Sequence, residues 1–232
     1  MKKFILIIMA LLAFAPVAKA QKLKAMDLGL SVKWANMNVG ADAPEEYGDY
    51  FAWGEVKTKR YYGDYSKYKF IRTEPKVYYK YNYRFEGEGT VRDDLTTLQR
   101  DDDAATQIMG KAWRMPTQEE VEELIKECIF QWYTLNGTRG YMVTNKSVPS
   151  DTIFIPLTGY KDFGNFRLYP ATMGYYWTST LVGDEISGID SIDPNGKLVE
   201  KAKAMLFTGS NTPIVDFIKR NIGCTIRPVS NR

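Results

Sequence analysis

Histidine is absent from this 232-residue chain, and cysteine occurs only twice, at Cys128 and Cys224. The first absence excludes Ser-His-Asp and Cys-His catalysis, histidine general bases and every zinc site that needs an imidazole. The second excludes a four-thiolate metal site within one chain. No GxxxxGK[ST] or GxGxxG loop occurs, so the common phosphate cradles are missing as well. No apolar run reaches the roughly 20 residues that span a bilayer. These absences remove most common enzyme classes and predict a binding module rather than a catalyst.

What is present begins with an export signal. Lys2 and Lys3 form a positive start, residues 4–15 are apolar, Pro16 breaks the run, and Ala18-Lys19-Ala20 supplies a small-x-small cleavage pattern. The expectation is a signal peptide over residues 1–20 and a single domain over 21–232, without a transmembrane segment after cleavage. Its location would be extracytoplasmic: periplasm, cell surface or medium. Loss of Lys2, Lys3 and Lys19 with the leader leaves as many basic residues as the 28 acidic ones. The charge therefore gives no case for nucleic acid.

Residues 30–35 and 49–53 read as strands, followed by short strand-like runs at 141–144, 152–155, 175–178, 204–207 and 224–227. Thr117 and Glu120 form a capping box. Val121, Leu124, Ile125 and Cys128 then repeat as one apolar helical stripe, and Glu119, Glu122 and Glu123 make a solvated face. One helix among many short strands indicates an α+β domain with antiparallel sheets. Residues 56–100 hold half of the 16 tyrosines and read as a surface excursion pinned by its own aromatics. Tyr61, Tyr62 and Tyr65, beside Gly63 and Asp64, are the candidate ligand contacts, because sugars pack their C–H faces on aromatic rings. Trp34, Trp53, Trp113 and Trp177 are expected to be buried.

Two further sites are candidates. Asp184, Glu185, Asp190, Asp193 and Asn195 offer hard oxygen ligands for calcium. Asp193-Pro194-Asn195-Gly196 is equally a turn sequence, and the spacing matches no EF-hand loop. Asp151-Thr152-Ile153 and Asp190-Ser191-Ile192 look like the Asp-Ser/Thr-apolar sites of bacterial O-glycosylation, and Ser191 is the better candidate of the two. No other cofactor is expected.

Several segments follow one another in a recognisable order: Met26-Asp27-Leu28-Gly29-Leu30-Ser31-Val32-Lys33-Trp34-Ala35, Glu46-Tyr47-Gly48-Asp49-Tyr50-Phe51-Ala52-Trp53-Gly54-Glu55, Trp113-Arg114-Met115-Pro116-Thr117, Gly174-Tyr175-Tyr176-Trp177-Thr178-Ser179-Thr180 and Ile226-Arg227-Pro228-Val229. Together they resemble the Fibrobacter succinogenes major paralogous domain family of secreted and surface bacterial proteins. The resemblance implies a C-type-lectin-like fold and no agreed activity. Arg114-Met115-Pro116 is also similar to the Arg-Leu-Pro helix of formylglycine-generating enzymes, but the closely spaced cysteine pair of that chemistry is missing. So are the Glu-Pro-Asn and Trp-Asn-Asp calcium motifs of animal lectins.

Export into an oxidising compartment leads us to expect a disulfide between Cys128, on the helix stripe, and Cys224, alternating with Ile226. The related fold joins its first helix to its last strand in this way. Two buried thiols are the alternative. Three functions follow: a module binding a glycan or protein, a structural subunit of a surface fibre or complex, and a carboxylate-only enzyme such as a glycosidase.

Overall fold

The computed structural model describes residues 22–74, 76–83, 92–182, 201–209 and 212–232. Strands β1 (Ala25–Met26) and β2 (Val32–Ala35) pair antiparallel near the start. β3 (Ile71–Thr73) and β4 (Lys76–Tyr78) follow and pair antiparallel. Two helices come next, α1 (Ala104–Met109) and α2 (Gln118–Glu127). β5 (Cys128–Leu135), β6 (Thr138–Asn145) and β7 (Ile153–Pro156) form an antiparallel sheet in that order. A second small hairpin, β8 (Tyr160–Asp162) and β9 (Phe166–Leu168), leads into the sheet β10 (Gly174–Leu181), β11 (Lys201–Phe207) and β12 (Ile214–Lys219). β13 (Val229–Asn231) returns to pair with β2, opposite β1. The domain is α+β, built from small antiparallel sheets and two short helices.

Local chemistry accounts for the helices. Thr117 accepts from the Glu120 amide at 3.3 Å, and Glu120 accepts from the Thr117 amide at 2.9 Å. Two otherwise orphaned donors are satisfied in this way. Asp103 caps α1 by accepting from the Thr106 amide at 2.9 Å. On α2 the stripe buries Val121 and Leu124, and the helix stops at Cys128, which is its C-cap and the first residue of β5.

β10 and β11 divide the core. Successive strand side chains face opposite ways. Tyr176, Met205 and Phe207 therefore join one cluster, with Trp34, Val121, Leu124, Tyr141 and Cys128. Trp177, Ala204 and Leu206 join another, with Trp53, Phe70, Tyr81 and Cys224. The cysteines are consequently free and buried in different clusters, and the expected disulfide is not formed. The thiols face opposite sides of the layer that separates the two halves of the core.

The tyrosine-rich stretch also departs from expectation. Tyr62, Tyr68, Tyr78, Tyr81 and Tyr83 are buried in the larger cluster, so this segment supplies core rather than a surface excursion. Residues 49–53 and 224–227 are not regular strands. Phe51 and Cys224 form one isolated antiparallel bridge, and Thr225 bridges Tyr176. Arg227 is fully buried among Asn38 Oδ1, the Ala35 carbonyl and the Phe154 carbonyl, at 2.8, 3.0 and 2.9 Å, and joins three segments. Among the described residues no helix is long and apolar enough to cross a membrane.

Candidate functional site

Three segments converge beside Tyr61. Residues 61–64, the β8–β9 turn and the turn after β12 are tied together by backbone bonds. Tyr62 N–H donates to the Gly164 carbonyl at 2.7 Å, Gly164 N–H donates back at 3.1 Å, and Gly63 N–H donates to the Asn221 carbonyl at 3.0 Å. The approach is close enough to require glycine at position 63, where φ is +81° and a Cβ would lie 1.9 Å from Asp162 Oδ1. Only a residue without a Cβ accepts both conditions. The result is a cleft of ≈ 320 Å³, whose walls include Tyr61, Asp64, Asp162, Phe163, Lys219 and Asn221.

Its chemistry is aromatic and polar. Tyr61 is 56% exposed and Phe163 76%. Phe163 also sits at φ +48°. That left-handed conformation costs a side-chain-bearing residue about 1–2 kcal/mol. An exposed ring recovers none of that cost through burial. Asn221 is the opposite case. It is 1% exposed, and neither its Oδ1 nor its Nδ2 has a hydrogen-bond partner. Buried amides without partners are rare in folded proteins, because each polar atom left dry costs free energy.

A second cleft of ≈ 490 Å³ lies on the other side of the same hairpin, lined by Asp49, Tyr50, Thr58, Lys59, Lys161, Asn165 and Arg167 among others. Lys161 Nζ donates to Asn165 Oδ1 at 2.7 Å and stands 4.9 Å from the Tyr50 ring centre, while Arg167 stacks 4.7 Å over Tyr47. Arg167 also faces the Tyr50 hydroxyl, whose pKa burial raises and the guanidinium pulls back. Lys59 is engaged with Glu55 at 2.9 Å. Burial lowers the pKa of Lys161, and the neighbouring Arg167 lowers it further against the pull of Asp49.

A cleft of ≈ 500 Å³ near α1 is chemically occupied by its own wall. Arg114 grips Glu120 through both nitrogens at 2.8 and 2.5 Å. Asp103 accepts from the Thr106 and Met115 amides at 2.9 and 2.8 Å. Burial raises the pKa of Asp103 against those bonds. These groups are committed to holding the fold.

Of the residues expected from sequence, Tyr61 stands at the rim of the aromatic cleft. Tyr62 forms its floor, is 1% exposed, and donates its hydroxyl to the Tyr50 carbonyl at 2.5 Å, so it is a core residue and not a ligand contact. Tyr65 lies in the 3₁₀ turn Tyr65–Lys67, packed against the larger core cluster and away from the cleft. Trp34, Trp53 and Trp177 are fully buried, and Trp113 is half-buried. Residues 1–20, Asp184, Glu185, Asp190, Asp193, Asn195 and Ser191 lie outside the described residues. Phe163, Asn221, Lys161 and Arg167 were not singled out from sequence. Asp162-Phe163-Gly164-Asn165 is legible as a turn, but nothing local distinguishes the exposed ring or the dry amide.

Comparison with family models, curated proteins and solved structures returns no match to this chain.

Proposed function

We propose that the chain is exported by a leader over residues 1–20 and acts outside the cytoplasm as a non-catalytic, C-type-lectin-like binding module for a saccharide. The observation that carries this reading is the cleft lined by exposed Tyr61 and Phe163, with Asn221 also in its wall. Aromatic faces match the C–H faces of a sugar ring. A saccharide array probed with the purified protein, with and without calcium, tests the reading. Binding should appear, and Tyr61→Ala and Phe163→Ala should each weaken it about tenfold, the equivalent of ~1.4 kcal/mol. No binding to any saccharide would end it.

One observation favours a structural subunit as the second reading. Among the described residues β5 pairs only with β6, and it carries exposed Ile129, Trp132 and Tyr133. Such a strand can accept another chain along its free edge. A native mass that grows with concentration, and is restored to the monomer by Trp132→Lys, would favour this reading over the first.

A further inference from the structure

Lys161 and Arg167 are direct cross-strand partners in the β8–β9 hairpin. The backbone of Lys161 spends its N–H and its carbonyl on Gly223, at 2.7 and 2.9 Å. In an antiparallel pair both groups of a residue point the same way, so Lys161 and Arg167 form the non-hydrogen-bonded kind of pair, in which side chains stand closer. Like charges in that position are destabilising. Neither residue forms an ion pair among the described residues. Lys59 is taken by Glu55, which leaves two cations facing one carboxylate, Asp49.

The two clefts have no lining residue in common but adjoin at Tyr62, which lines the aromatic cleft and whose ring centre lies 6.0 Å from Lys161 Nζ. The hairpin divides its residues between them: Asp162, Phe163 and Gly164 line the aromatic cleft, while Lys161, Asn165 and Arg167 line the cationic one.

We infer that the ligand is an anionic saccharide whose carboxylate or sulfate seats between Lys161 and Arg167 while a sugar ring lies against Tyr61 and Phe163. This rests on the saccharide reading above and adds the ligand's charge. An anion between the two side chains converts a repulsive pair into a clamp, and a guanidinium can grip either oxyanion with two parallel donors. Carboxylate and sulfate share this chemistry and are separated by the test.

The test is an array that holds matched neutral, uronic-acid and sulfated forms of the same oligosaccharides, with inorganic sulfate as a competitor. The protein should bind one or both charged forms at least tenfold more tightly than the neutral form. Arg167→Gln and Lys161→Gln should remove that preference and leave neutral binding in place, whereas Tyr61→Ala should weaken both. Equal binding of neutral and charged forms would overturn the anionic ligand and leave the saccharide reading standing. A preference that survives the double variant would also overturn it, since the charge would then be read elsewhere. No binding to any form would remove both. Thermal melting gives an independent check: in low salt without ligand, Arg167→Gln should melt at or above the wild-type midpoint, and a marked fall would show that the pair is a stabilising contact and overturn the inference.

Discussion

Trp53 and Trp177 exchange indole hydrogen bonds across the core: Trp53 Nε1 donates to the Thr178 carbonyl at 2.9 Å, and Trp177 Nε1 donates to the Phe51 carbonyl at 2.8 Å. Each ring thus latches the backbone beside the other. The prediction is that Trp53→Phe, which keeps an aromatic body but removes the donor, costs about 1–3 kcal/mol, because the buried Thr178 carbonyl loses a partner. Trp53→Ala should cost more, about 3–5 kcal/mol. Urea unfolding checks both, and an unchanged midpoint for Trp53→Phe would contradict the latch.

Reduction should not matter to this fold. Titration of unfolded, unreduced protein should find two thiols, and reductant should leave the melting midpoint where it is. In the native state at mildly alkaline pH both should resist alkylation. Burial pushes the Cys128 thiol up to about 11 and raises Cys224 well above its ordinary range. Almost no thiolate therefore exists to react. A mass loss of two hydrogens in the native protein would refute the free pair.

Alkali should unfold the domain sharply. Burial raises the phenols of Tyr62, Tyr175 and Tyr176 to about 12. A free tyrosine in the unfolded chain ionises near 10. The folded state therefore holds protons that the unfolded state releases. The contribution of these residues to stability is complete below about pH 10 and is lost as pH rises from there through about 12. Urea midpoints should be level up to that threshold and fall beyond it. Tyrosinate absorbance from these residues should appear together with unfolding, and a normal titration near 10 in folded protein would disprove their burial.

Gly63→Ala combines a left-handed backbone with a collision at Asp162. The variant should cost about 1–3 kcal/mol. The collision and the dihedral strain can be separated. Asp162→Ala should partly rescue the variant by removing the first and leaving the second. Full rescue would mean that the backbone conformation at position 63 carries no cost.

Much of the framework was legible because its signals are local. The box Thr117/Glu120 and the stripe through Leu124 specify α2 within one turn at each end. The alternation of β10 and β11 is visible in Tyr176-Trp177 and Met205-Leu206. The β5–β6 hairpin was equally readable at Asn136-Gly137, where φ is +48° and +84°. Positive φ at both positions is what a tight hairpin turn requires. The expectation nevertheless began only at residue 141, whereas β6 starts at Thr138. The site was legible at Tyr61 alone. Tyr62 was misplaced because neighbours in an extended chain face opposite ways, and only one of the two could be at the surface. Asn221 and the Lys161–Arg167 pair depend on which distant segment lies opposite, and no local pattern carries that information.

The seat of β2 between β1 and β13 sets the order in which this chain can fold. Trp34 aligns with Met26 on one side and Val229 on the other, so its sheet stays unfinished until residues 229–231 have left the ribosome. Contacts so far apart along the chain form slowly. Through that interval the β2 edge, with Trp34 beside it, is open to unwanted partners. A nascent chain stalled short of Val229 should therefore be held in solution by a chaperone and cleared by proteases, and tethering its C-terminus to the ribosome by a linker too short to free Asn231 should keep it in that state.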